Sequence, residues 1–121
     1  MPARIVVVHD EPKFRDSVVT ALQAAGYDTK AFAGSMEALD ALGAAQRIEL
    51  LITRVTFPEG TPNGVALARM ARVKKRGVRV LFAARDENRE HTEGVGEFVA
   101  VPVTGPEIVA RVKRMLAQVD A

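Results

Sequence analysis

The 121 residues include no cysteine and no tryptophan, and the aromatic set amounts to five Phe and one Tyr. Without cysteine there can be no disulfide framework, cysteine nucleophile or thiolate metal site, and a reducing, cytoplasmic setting is the expected one. Neither sign of charge prevails, since seventeen Lys and Arg against fifteen Asp and Glu leave a formal charge of +2. A nucleic-acid binder usually needs a concentrated basic face, so no nucleic-acid partner is expected. Long apolar runs are also missing. The first covers only residues 5–8 and leads into His9, Asp10 and Glu11, which makes neither a signal peptide nor a membrane span. No GxGxxG or GxxxxGK stretch occurs, which argues against a nucleotide-binding enzyme. What remains is 48% hydrophobic residues in a chain long enough for one core and too short for two. We read residues 1–121 as a single domain.

Hydrophobic periodicity divides that domain into a regular alternation. The β-branched run 5–8 suits a strand covered on both faces. Pro12 then opens a helix whose apolar stripe is Phe14, Val18, Ala21, Leu22 and Ala25, stopped by Gly26. A weaker strand at 28–32 precedes a short helix with Ser35 as its N-cap and Met36, Leu39 and Leu42 along it. Leu50, Leu51, Ile52 and Val55 mark a third strand, interrupted by Arg54. The stretch 56–63, with two prolines and a glycine, reads as a loop. A third helix carries Val65, Leu67, Ala68 and Ala71 and ends near Gly77; strand four is 78–83. The polar stretch 85–96 holds a short fourth helix. Strand five is 98–101, and Pro106 opens a last helix bearing Ile108, Val109, Val112, Met115, Leu116 and Val119.

Five strands alternating with five helices imply a doubly wound parallel sheet with helices on both faces. The functional crevice of such a sheet lies at the carboxyl ends of the strands, beside the switch in strand order. The residues to watch are therefore His9, Asp10 and Glu11, then 54–58, Ala84 and Arg85, and 101–104.

At these strand ends the chain resembles the receiver domain of bacterial two-component response regulators. The resemblance runs through RIVVVHDEP, AGYDTKAF, ELLITRVTFPEG with NGVALA, VRVLFAARDE and FVAVPVTGPEIVARV, in that order. It implies a flavodoxin-like fold with strand order 2-1-3-4-5. It also implies a site that takes a phosphoryl group from a histidine kinase onto an aspartate ending strand three, helped by Mg²⁺, a strand-four hydroxyl and a strand-five lysine. The chemical positions depart from that pattern. His9 stands for the first acidic residue, and Asp10 keeps the second as a vestige of the metal site. Arg54, four residues before Pro58, occupies the phosphoacceptor position. Ala84 replaces the hydroxyl residue and Val101 the lysine, while Pro102 is retained and Phe98 takes the place of the switch aromatic. About two extra residues separate Pro58 from Gly64.

Arginine is no nucleophile, because its guanidinium stays protonated. Mg²⁺ wants hard oxygen ligands, so a fixed cation at Arg54 argues against it, and no cofactor is expected. The guanidinium should instead pair, in bidentate fashion, with Asp10 or Glu11. Three other readings have less to support them. His9 and His91 lack a compact metal-ligand spacing. Thr53 and Thr56, as substitute acceptors, fall off the pocket face or in the loop. The basic string Arg69, Arg72, Lys74, Lys75, Arg76 and Arg79 lacks the interleaved aromatics of a nucleic-acid surface and reads as a solvated helix face.

The expectation is thus a cytoplasmic pseudo-receiver, not an enzyme, working in phosphorelay signalling as a protein-interaction or dimerisation module. Its partner would be a histidine kinase or a downstream signalling protein. The resemblance places the output face on helix four, strand five and helix five, residues 85–113. The alternatives are a phosphoacceptor switch with an unrecognised acceptor, or a crevice that binds a small anion through Arg54.

Overall fold

Strand β1, Arg4–Val8, pairs in parallel with β2, Asp28–Phe32, on one side and with β3, Leu50–Thr53, on the other, so that Val8 lies level with both Phe32 and Thr53. The register brings the ends of the central strands to one level, and the residues that follow them share one rim. Strands β4, Arg79–Ala84, and β5, Glu97–Ala100, continue the sheet to the order β2-β1-β3-β4-β5. This is the flavodoxin-like arrangement, with the switch in strand order between β1 and β3. The computed structural model describes residues 3–44 and 47–117.

The central strands β1, β3 and β4 read as near-continuous apolar runs because helices cover both faces, whereas the edge strand β2 leaves Asp28, Lys30 and Ala31 exposed. Val18 and Leu22 of α1, Pro12–Ala24, and Ile108, Val112 and Met115 of α5, Gly105–Ala117, pack on Ile5, Val7, Leu50, Ile52 and Leu81. On the other face, Ala38 and Leu42 of α2, Ser35–Ala44, and Leu67, Ala68 and Ala71 of α3, Gly64–Lys74, pack on Val6, Val8, Leu51, Val80 and Phe82. The polar stretch 85–96 holds a 3-10 turn, Asp86–Asn88, and a four-residue helix α4, Arg89–Thr92.

Several boundaries differ from the sequence reading, each for a local reason. β3 stops at Thr53: Arg54 N–H still donates to Val8 O at 3.3 Å, but the chain then turns so that Val55 O accepts from Gly64 N–H at 2.8 Å. β4 and β5 are each displaced by about a residue, and Val101 lies just beyond β5. Ser35 is not an N-cap. It is the first residue of α2, and its buried Oγ has no hydrogen-bond partner, while Ala38 N–H donates to Gly34 O. The side-chain caps are elsewhere. Glu11 Oε2 accepts from Phe14 N–H at 3.0 Å, and Thr104 and Glu107 bond reciprocally ahead of α5, the capping box. Arg79 leaves the supposed solvated string, because it begins β4 and its Nη1 donates to Met115 O of α5. Val119 of the expected α5 stripe lies outside the described residues.

Candidate functional site

His9, Arg54, Ala84, Val101 and Pro102 line one cleft of about 490 Å³ at the carboxyl rim of the sheet, with Phe14 and Arg85 at its sides. Residues from each of the four strand ends singled out in the sequence thus meet in space, while Val55, Thr56 and Phe57 line a separate cleft. Across the switch point, Arg54 Nη1 donates to Asp10 Oδ1. The expected ion pair forms, but through a single nitrogen and oxygen, not bidentately, and with Asp10, not Glu11. The Glu11 carboxylate is instead committed to capping α1.

His9 is buried, and its Nδ1 accepts a hydrogen bond from Glu11 N–H at 3.1 Å. A nitrogen that accepts carries the lone pair, so the neutral ring holds its proton on Nε2. The 3.9 Å separation between His9 Nδ1 and Asp10 Oδ1 is therefore no salt bridge. Burial is the main cause pushing the His9 pKa below its usual value, and the Arg54 charge adds to it. The ring stands 4.6 Å from that of Phe14, and Arg15 Nη1 donates to His9 O at 2.8 Å. For Asp10, partial burial pushes the pKa up, but the hydrogen bond and charge of Arg54 outweigh it and hold the carboxyl below its ordinary range.

Arg54 is fixed from the backbone as well. Thr53 Oγ1 donates to Arg54 O at 2.9 Å, and α3 begins so close to that carbonyl that a Cβ on Gly64 would lie 1.8 Å from it. Thr53 thus turns its hydroxyl to the backbone, and Thr56 is exposed in the loop. The longer 58–64 connection closes on itself, with Thr61 N–H and Oγ1 both bonded to Pro58 O. His91 lines a different cleft, with Thr56, Phe57 and Asn63, so the two histidines share no site.

At the far side Val101 N–H donates to Ala84 O at 2.9 Å, and the Val101–Pro102 peptide is cis. Phe98 is buried in the α2–α3 face of the core. The Arg89 guanidinium lies 4.5 Å above its ring, and Arg111 Nη1 donates to its carbonyl at 3.2 Å. Sequence reasoning missed three of these supports. The Glu11 cap was legible as an acid just before Pro12, and the Thr104–Glu107 box as T-x-x-E. The approach of Gly64 to Arg54 had no local signal.

Strand order and rim crevice together define a flavodoxin-like α/β domain. A solved receiver domain from the hybrid histidine kinase CckA superposes with a TM-score of 0.80 at 30% identity, covering 94% of this chain and 99% of that one. This chain belongs to the receiver domains of two-component response regulators. The response regulator TrrA of Thermotoga maritima, solved in complex with Mg²⁺ and BeF, matches at 25% identity and a TM-score of 0.81, covering 93% of this chain and 98% of that one. The regulatory protein TorR of Escherichia coli is 27% identical over 124 residues, covering 99% of this chain and 53% of its own length. AruR of Pseudomonas aeruginosa is 27% identical over 128 residues, covering 98% and 51%. The chain thus spans about half the length of the curated relatives it matches. No protein-family model matches it. Receiver domains of response regulators are signalling modules that interact with histidine kinases and other proteins. Among the described residues no helix is long and apolar enough to cross a membrane.

Proposed function

We propose that this chain is a pseudo-receiver: it accepts no phosphoryl group and transmits its signal by protein contact alone. The observation carrying this reading is the Arg54–Asp10 pair at the ends of β3 and β1. Phosphoryl transfer needs a nucleophile, a bridging cation and fixed positive groups for the developing charge. At Arg54 there is a guanidinium with no lone pair to offer. The residues present do not fit Mg²⁺ either, because Asp10 holds Arg54, Glu11 caps α1 and His9 turns its lone pair to a backbone amide. Ala84 brings no hydroxyl to a phosphate and Val101 no ammonium, so the trigger and relay of a phosphorylation switch are missing together.

The surface that remains for signalling is that of α4, β5 and α5, where Arg111 bonds the Phe98 carbonyl and Lys113 is exposed on α5. The partner is a histidine kinase or a downstream signalling protein. The test is intact-mass measurement after treatment with acetyl phosphate. An unchanged mass is expected, and an adduct of one phosphoryl group on any aspartate would overturn the reading.

A second reading rests on the cleft, where Arg54 and Arg85 stand over apolar Ala84, Val101 and Pro102. This suits a small organic anion. A panel of carboxylates that leaves the melting temperature unchanged would remove it.

A further inference from the structure

α2 and α3 lie side by side and leave between them a groove of about 390 Å³, lined by Met36, Leu39, Asp40, Met70, Val73 and Lys74. Three of these are the large hydrophobic residues most open to water among those described: Met36 at 54%, Met70 at 41% and Val73 at 85% relative exposure. Scattered apolar side chains on a surface need no explanation, but a contiguous set does.

The two edges of the groove carry opposite charge. Asp40 of α2 and Lys74 of α3 line it from opposite sides; α2 carries a further carboxylate, Glu37, and no cation, and α3 carries a further cation, Arg69, and no carboxylate, whereas Arg72 of α3 lines a separate cleft with Val78 and Glu97. Among the described residues none of these five side chains forms an ion pair. Lys74 instead lies against Gly43 of α2. The groove therefore offers an apolar floor, one acidic edge and one basic edge, all unsatisfied within the chain.

We infer that this α2–α3 groove is a self-complementary docking surface whose occupant is a second copy of the chain. Both helices run antiparallel to the strands, so a two-fold axis along the groove lays each α2 over the other copy's α3. The acidic edge of one copy then meets the basic edge of the other twice, and the Met36, Met70 and Val73 side chains close over each other. An isologous contact requires this kind of self-matching patch. A partner of a single charge would meet like charge along one edge, and such juxtaposition is unfavourable. The inference goes beyond the pseudo-receiver reading and uses a different face from α4, β5 and α5.

The test is sedimentation velocity on the chain from micromolar to near-millimolar concentration. A reversible dimer is expected. Val73→Asp should raise its Kd roughly tenfold or more, and because Val73 is exposed the melting temperature should hold. Asp40→Lys and Lys74→Glu should each weaken the dimer, and the double variant should recover it, since every exchanged edge then meets an exchanged edge. A monomer at all concentrations would overturn the inference. So would a dimer indifferent to Val73→Asp, including one that dissociates with Arg111→Glu, which would put self-association on the α4–β5–α5 face and leave the pseudo-receiver reading intact.

Discussion

Arg54 and Asp10 close the gap between the ends of β3 and β1 with a hydrogen-bonded ion pair. Their side chains are 31% and 41% exposed, so water screens the attraction and the pair contributes at most about 1 kcal/mol to stability. In the proposed pseudo-receiver its larger effect is on chemistry, because a permanent cation then stands where a phosphoacceptor and a metal would otherwise meet.

Replacing that cation is the direct test. Arg54→Asp should crowd Asp10 with a second carboxylate and lower stability by about 1 kcal/mol, at the low end of the range for such changes because the site is partly open. Mg²⁺ in the millimolar range should recover part of the loss, since an ion bound only by the folded state stabilises it. The wild-type melting temperature should not respond to Mg²⁺. Equal stabilisation of both proteins would show that the guanidinium does not stand in the metal's place. Phosphorylation of Arg54→Asp should stay poor, because Ala84 and Val101 are unchanged.

Acid should find His9 first. Its pKa in the folded chain is held below the ordinary 6.5, so on acidification the unfolded chain takes up the proton earlier. Stability from this residue is complete above pH 6.5 and declines as the pH falls towards the folded value. Asp10, lowered from 3.8, acts in the same direction in more acid solution. Melting temperature against pH should therefore slope downward below pH 6.5 in the wild type and flatten there in His9→Asn. Parallel curves would mean that the burial of His9 carries no such cost.

Gly64 should tolerate no side chain. A Cβ there would stand 1.8 Å from Arg54 O, far inside contact, and the obstacle is backbone that cannot swing aside. Gly64→Ala should destabilise the chain by about 3 kcal/mol, the upper part of the range for overpacking. Chemical denaturation would measure it, and a loss below about 1 kcal/mol would mean that α3 can slide outward.

The proposed output face predicts its own pattern of losses. Arg111→Glu or Lys113→Glu should weaken capture of a native signalling partner, whereas Asp10→Ala should leave it intact in a protein that still folds. Binding lost in a normally melting Asp10→Ala protein would move the functional surface to the rim cleft.

The centre of the sheet was legible in the sequence because β1, β3 and β4 are buried on both faces, so that runs such as Ile5 to Val8 need no subtle pattern. The rim was legible for a related reason. Once the strands are placed, topology brings their last residues together, and His9, Arg54, Ala84 and Val101 follow. What stayed hidden depended on side-chain choices between near-equal partners. Nothing local distinguishes Asp10 from Glu11 as the mate of Arg54, and the decision falls to Phe14 N–H, which claims the Glu11 carboxylate. Ser35 has the composition of a cap, but packing buries it in the first turn of α2. The end of β3 was misjudged because Val55 is apolar and buried without being in the strand.

Phe98 is gripped from two sides, with Arg89 over its ring and Arg111 on its carbonyl. Arg89 is itself anchored, since Nε and Nη2 both donate to Asp86 Oδ1 at 3.0 and 2.8 Å. Individually these contacts are weak, about 0.5 to 1 kcal/mol for an exposed cation–π pair. Jointly they favour one arrangement of the β5 edge. On the proposed output face, a docking protein would meet a surface already biased towards that arrangement and forfeit less entropy in binding. Association should then proceed in one step, its observed rate rising linearly with partner concentration and never levelling off at the speed of an internal rearrangement.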